Sequence, residues 1–177
     1  MKDIKIRQIF QILLAVGITA LILRLFFIDS FIVKGDSMAP AILSGDYVFI
    51  DKISRYFKNF GRQDIIIVKP RTGTSENIIK RIIGLPGERV EIADNKVFIK
   101  NSRQDAGNVL SENYLDLVAT PAIGITIIQL DPKEYFILGD NRYISIDSRE
   151  LGPIDEWNIK GRVFLLFRSK SFSIKIF

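Results

Sequence analysis

Three stretches of this sequence hold side chains that could do covalent chemistry. The first is Gly35-Asp-Ser-Met-Ala-Pro40, where a glycine frees the backbone before Ser37 and a proline stiffens the exit. Such a turn can hold a hydroxyl outward, although an ordinary loop serine looks the same. The second is Asn77-Ile-Ile-Lys-Arg-Ile-Ile-Gly-Leu-Pro-Gly87. Read as a strand, it projects Lys80 with Ile78 and Ile82, and Arg81 on the opposite face with Ile79 and Ile83. An ammonium among isoleucines is poorly solvated, which lowers its pKa and makes the neutral amine accessible near physiological pH. A guanidinium stays protonated and cannot play that part. The plainer alternative is an edge-strand lysine that blocks unwanted pairing. The third stretch, Gly139-Asp-Asn-Arg-Tyr-Ile-Ser-Ile-Asp-Ser-Arg-Glu-Leu-Gly152, sets acids, arginines and hydroxyls between two apolar strands. It reads either as a surface loop or as a scaffold that orients something, and it lacks the glycine spacing of a calcium loop.

Composition narrows the chemistry. The 177 residues include no His and no Cys, so imidazole bases, thiol nucleophiles, disulfides and thiolate metal sites are excluded. A base working near neutral pH must then be a carboxylate, a lysine or a tyrosine. A serine activated by a desolvated lysine meets that restriction. The S-x-x-K helix motif of penicillin-recognising enzymes occurs nowhere in the chain. No metal and no cofactor is called for. The net charge of +5 comes from scattered Lys and Arg without a helix-turn-helix or RNA-binding signature, so nucleic acid is not an expected partner.

The elements that must position these residues fall into two parts. Residues 9–28 hold fourteen Ile, Leu, Val or Phe and one charge, Arg24. Twenty helical residues span roughly 30 Å, the thickness of a bilayer core. At about −0.4 kcal/mol each, the large apolar residues favour insertion by roughly 5–6 kcal/mol, against at most ~3 kcal/mol for Arg24. The run is too long for the core of a cleaved signal peptide. It reads as a transmembrane signal anchor rather than a buried core helix. Lys2, Lys5 and Arg7 precede it, and Lys34 is the first basic residue beyond, so residues 1–8 are expected in the cytoplasm and 29–177 on the outer face.

Residues 29–177 read as one mainly β domain. Strands are expected at Tyr47–Ile50, Asp64–Val68, Asn77–Ile83, Val90–Ile92, Val97–Ile99, Ile123–Leu130, Tyr135–Leu138 and Arg162–Phe167. Asp94-Asn95 is a hairpin turn signal. Residues 101–121 are polar and irregular, and look like a short inserted loop. Lys52, Arg55, Lys58 and Arg62, interleaved with Tyr56, Phe57 and Phe60, suit either a lipid-facing patch or a solvated loop.

Together these motifs resemble those of the bacterial type I signal peptidases, membrane-bound Ser-Lys endoproteases that remove signal peptides from exported proteins. Ser37-Met-Ala-Pro40 is similar to the nucleophile box and Gly45-Asp-Tyr-Val-Phe49 to the strand after it. Lys80-Arg-Ile-Ile-Gly-Leu-Pro-Gly87 is similar to the general-base box, and Gly139-Asp-Asn-Arg with Ser145-Ile-Asp-Ser-Arg149 to the last box. The order agrees and nearly the whole chain is covered. The resemblance implies a signal-peptidase/LexA-like β fold behind a single transmembrane helix. It implies Ser37 as nucleophile, Lys80 as general base, and Ser145 holding the Lys80 amine through its hydroxyl. It further implies Asp147 and Arg149 as a structural ion pair, with Asp140 and Arg142 supporting the same loop, and the Ser37 N–H as oxyanion donor.

Two places depart from the family pattern. Gly35 stands where some members carry a serine donor, and Tyr143-Ile144 where many carry Asp-Asn. The short insert implies that the second domain of larger relatives is absent or vestigial. The implied substrates are secretory precursors, cut after small residues by a monomer in the cell membrane. Their extended ends would pair as an added strand between residues 31–35 and 78–80, with Ile32, Met38 and Ile78 lining shallow pockets. The rivals are a LexA-like autoprotease, which would need a DNA-binding domain, and a tethered β domain that only binds partners.

Overall fold

A computed structural model describes residues 2–57, 60–71, 76–101, 107–115 and 126–177. The chain begins with helix α1 (Lys2–Phe26) and turns directly into strand β1 (Ile28–Ile32). There follow β2 (Tyr47–Asp51), a short helix α2 (Ile53–Phe57), β3 (Ile65–Val68), β4 (Ile78–Gly84), β5 (Arg89–Ala93) and β6 (Lys96–Lys100). The rest comprises β7 (Asn108–Val109), β8 (Thr126–Gln129), β9 (Glu134–Leu138), α3 (Ser148–Leu151), β10 (Ile154–Asp155), β11 (Ile159–Arg168) and β12 (Ser173–Ile176). The expected strands are present with slightly shifted ends. Residues 123–125 of one of them lie outside the described residues, as do 102–106 and 116–121 of the expected insert.

The main sheet runs β1-β2-β11-β3-β4-β9-β10, all antiparallel, and β12 extends the edge of β11 that β3 leaves free. The ten-residue β11 is its spine, and Gly161 within it is needed because any Cβ there would lie 2.5 Å from the Asp51 carbonyl. All four residues of β3 are buried, as a central strand of Ile and Val requires. Each such side chain contributes about 1.5–3 kcal/mol of apolar burial.

A smaller sheet, β7-β6-β5-β8, grows out of the β4–β5 and β8–β9 connections. Asp94 and Asn95 both adopt positive φ, the mirror-image turn that the right-handed twist of a hairpin favours. At the junction of the sheets, Gly84 packs under Val90 and Leu130, with Leu130 Cδ1 2.8 Å from where a Cβ would stand. A side chain there would push the sheets apart.

Helix α1 corrects one boundary. The expected span of residues 9–28 is cut at Phe26, because Ile28 pairs with Asp51 as strand. The described side chains at 6–21 are exposed, so this is not a core helix. Among the described residues, no helix is long and apolar enough to cross a membrane. The aromatic and basic patch also contracts. Tyr56 and Phe57 are exposed, but Phe60 is buried edge-on against Tyr135 and Arg62 pairs with Glu88. Lys58 lies outside the described residues.

Candidate active site

Ser37 sits on a loop closed at both ends. The Val33 N–H donates to the Asp46 carbonyl, and the Gly45 N–H to the Val33 carbonyl, each at 2.9 Å. Gly35 turns the chain at φ +80°, and its N–H reaches the Ser44 hydroxyl at 3.3 Å. Inside the loop, the Asp36 carboxylate accepts from the Ser44 N–H at 3.2 Å. Met38, 1% exposed, plugs the loop into the core beside Ile42 and Val33. Arg168 at the end of β11 grips Asp46 with contacts of 3.0, 3.1 and 2.7 Å. Burial pushes the Asp46 carboxyl up, but the hydrogen bonds from Arg168 and Leu43 outweigh it and hold the pKa below the usual value.

Lys80 comes from β4. Its register partner is Ile66 on β3, and β9 pairs with β4 only from Arg81 onward. Among the described residues, the edge of β4 at residues 78–80 is therefore unpaired, and there Lys80 meets the Ser37 loop. Its Nζ lies 2.8 Å from Ser37 Oγ and 3.1 Å from the Ile79 carbonyl. The residue is 3% exposed. Burial pulls its pKa down to about 8, and Arg149 helps, while the carboxylates of Asp147 and Asp140 oppose the fall. An amine so placed is substantially neutral at mildly alkaline pH and can accept the Ser37 proton.

Residues 139–149 form the wall behind the pair. The Asn141 N–H donates to the Ser37 carbonyl at 3.0 Å. A Cβ on Gly139 would lie 2.5 Å from that same carbonyl and collide with the Ser145 side chain, so only glycine fits. Asp147, fully buried, caps α3 and accepts from the Gly139 N–H (3.0 Å) and from Arg149 Nε (2.8 Å) and Nη2 (2.9 Å). Arg149 also donates to the Arg142 and Ser145 carbonyls, which pins the turn between them.

Several implied roles meet different surroundings. Ser145 is buried at 4% exposure, yet its hydroxyl has no hydrogen-bond partner among the described residues, so the implied contact with Lys80 is not formed. It is packed against Gly139 instead. Asp140 pairs with Arg81, next to Lys80, through Nε at 2.8 Å and Nη2 at 2.7 Å. Arg142 donates to the Gly139 carbonyl at 2.9 Å and pairs with Glu112. Asp147 and Arg149 do pair with each other.

A cleft of about 290 Å³ opens in front of Ser37 and Lys80, lined by residues 31–34 of one strand end and 76–80 of the other. These belong to the first and fifth strands of the sheet order, so the sheet curls to bring them face to face. Ile32 and Ile78 line this cleft, but Met38 does not, because its side chain turns into the core. Glu112 and Tyr114, which no local pattern singles out, stand beside the wall. Among the described residues, no group of three or more acidic side chains is placed to hold a metal ion.

The chain is similar to known proteins. The family model described as signal peptidase, peptidase S26, matches residues 6–168. The signal peptidase I of Bacillus licheniformis is 34% identical over 159 residues, covering 85% of this chain and 82% of the relative. The signal peptidase I P of Bacillus subtilis subsp. natto is 36% identical over 159 residues, with the same coverage of 85% and 82%. A solved signal peptidase I from Enterococcus faecalis has 32% sequence identity and a TM-score of 0.49, covering 59% of this chain and 96% of its own.

Proposed function

Since the chain belongs to the signal peptidase family, peptidase S26, we propose that it is a membrane-anchored serine endopeptidase that removes signal peptides from secretory precursors with a Ser37–Lys80 dyad. The observation that carries this reading is the 2.8 Å approach of Lys80 Nζ to Ser37 Oγ at a lysine with a pKa near 8.

The neutral Lys80 amine takes the Ser37 proton as Oγ adds to the scissile carbonyl carbon. The resulting oxyanion is held by the Ser37 N–H, which has no acceptor among the described residues. Lys80, now an ammonium, returns the proton to the departing amine as the C–N bond breaks, leaving an ester on Ser37. Water then repeats the sequence, with Lys80 taking its proton and giving it back to Ser37 Oγ as the ester is cleaved. Gly35 offers no side-chain donor, so backbone carries the oxyanion on this side.

The substrate lies extended in the cleft, adding a strand between residues 31–35 and the free edge at 78–80. Side chains on one face of that strand meet Ile32 and Ile78, which favours small residues at the −1 and −3 positions. The apolar run of residues 9–28 anchors the enzyme in the cell membrane by a single pass, with Lys2, Lys5 and Arg7 on the cytoplasmic side and the β domain outside. The exposed apolar side chains along it support that reading. The protein works as a monomer.

The test is cleavage of a secretory precursor by the detergent-solubilised chain. Ser37→Ala and Lys80→Ala should each lower kcat/KM by at least about 10³-fold. Full activity in either folded variant would sink the dyad and favour a domain that only binds.

A further inference from the structure

The geometry points to Glu112 and Tyr114 as positioning residues that hold the Ser37–Lys80 pair in register from the small-sheet side. This inference rests on the dyad proposed above.

Asn141 donates to the Ser37 carbonyl, and both of its neighbours in the chain are tied elsewhere. Asp140 is bound to Arg81, the residue after the base. Arg142 is bound to Glu112 through both guanidinium ends, one at 3.4 Å from Nη1 and a shorter one from Nη2. Tyr114 joins the two anchors. Its hydroxyl donates to Glu112 Oε1 at 2.7 Å, and its ring stacks 3.9 Å from the Arg81 guanidinium. The contacts therefore close a ring from Ser37 through Asn141 to Arg81 and Arg142, and across Tyr114 and Glu112. Burial and the Glu112 carboxylate push the Tyr114 phenol well above its ordinary pKa, so it stays a donor throughout the working range.

Burial makes this ring consequential. The side chains of Arg142 and Glu112 are 1% and 5% exposed. A buried ion pair adds little net stability over apolar packing, but removing one partner leaves the other charge uncompensated. If Glu112 is lost, Arg142 must seek another carboxylate, and those nearest along its own loop are Asp140 and Asp147. Either exchange disturbs the wall behind Ser37. It also changes the field at Lys80, where Asp147, Asp140 and Arg149 are the charged groups that act. The segment that presents the clamp is itself fixed, since Gln63 donates to the Ser111 carbonyl at 2.9 Å and the Leu110 N–H to Val97 at 2.8 Å.

The experiment is a pH profile of precursor cleavage by the full chain in detergent. Glu112→Gln removes the charge and keeps the size. It should lower kcat by about tenfold with KM within about twofold of the parent, because a small misplacement costs chemistry rather than binding. The midpoint of the limb that rises with pH should move down by about half a pH unit, since Arg142 drawn toward Asp140 or Asp147 weakens the carboxylates that favour the Lys80 ammonium. Glu112→Asp should bring that midpoint back. Tyr114→Phe, which loses one hydroxyl and keeps the ring on Arg81, should cost about threefold in kcat. It decides the question if Glu112→Gln does not fold. Glu91→Gln, which breaks the Lys100–Glu91 pair on the same small sheet, serves as the control and should leave both readouts unchanged. Parental kcat and midpoint in the folded clamp variants, or a loss in melting temperature alone, would overturn the inference. Parental activity in Ser37→Ala would instead remove the dyad on which it stands.

Discussion

On the side of Ser37 that faces β1 and the start of β4, backbone edges have no strand partner among the described residues and Ile32 reaches solvent at 57% exposure. On the side that faces residues 139–149, Asp140, Arg142 and Asp147 are each no more than 2% exposed and all three are paired. Under the proposed function, the contrast follows from what each side must do. A cleft that accepts many sequences has to bind through main-chain groups common to all of them, so it keeps those groups free. A proton transfer over 2.8 Å tolerates little drift, so the groups behind it are cross-linked by hydrogen bonds that do not depend on the substrate.

Changes on the closed side should strike turnover, and changes on the open side should strike selectivity. Gly139→Ala is the most severe closed-side change short of the dyad, because its methyl group would meet the Ser37 carbonyl and the Ser145 side chain at once. Overpacking of this kind costs about 1–3 kcal/mol and displaces what it touches. We expect kcat to fall by about 100-fold, measured on precursor with folding monitored by circular dichroism. A folded variant with parental kcat would erase the difference between the two sides. Ile78→Ala, on the open side, enlarges the cleft. It should narrow the preference for Ala over Leu at the −1 or −3 position by about fivefold, with kcat on the parental precursor changed less than about twofold. An unchanged preference would mean that Ile78 does not meet the substrate.

How far the sequence led depends on the range of the forces involved. The strands were legible because β-branched runs and turn residues act locally, and the Asp94-Asn95 turn has the backbone its composition demands. The absence of His and Cys leaves a carboxylate, a lysine or a tyrosine as base, and only the family resemblance singles out Ser37 and Lys80, whose side chains the fold brings to 2.8 Å. The end of α1 is not legible because Phe27 and Ile28 are as apolar as the helix before them, and hydropathy does not separate helix from strand there. A hexapeptide does not reveal which of its side chains turns inward, so the expectation of Met38 in the cleft fails against its place in the core. Glu112 lies in a polar stretch, thirty residues before the arginine it binds, and only the folded chain brings the two together. Ser145 is the reverse case. Family resemblance gave it a partner, but its hydroxyl is buried without one among the described residues.

If burial turns Lys80 into the base for Ser37, the pH dependence of kcat/KM reports it directly. The lysine pKa is lowered to about 8, so the ammonium predominates below that pH and the neutral amine above it. Cleavage should therefore rise about tenfold per unit well below pH 8 and level off above it, through a single ionisation. A rate already level from pH 6, or one that falls between pH 6 and 8, would contradict the account.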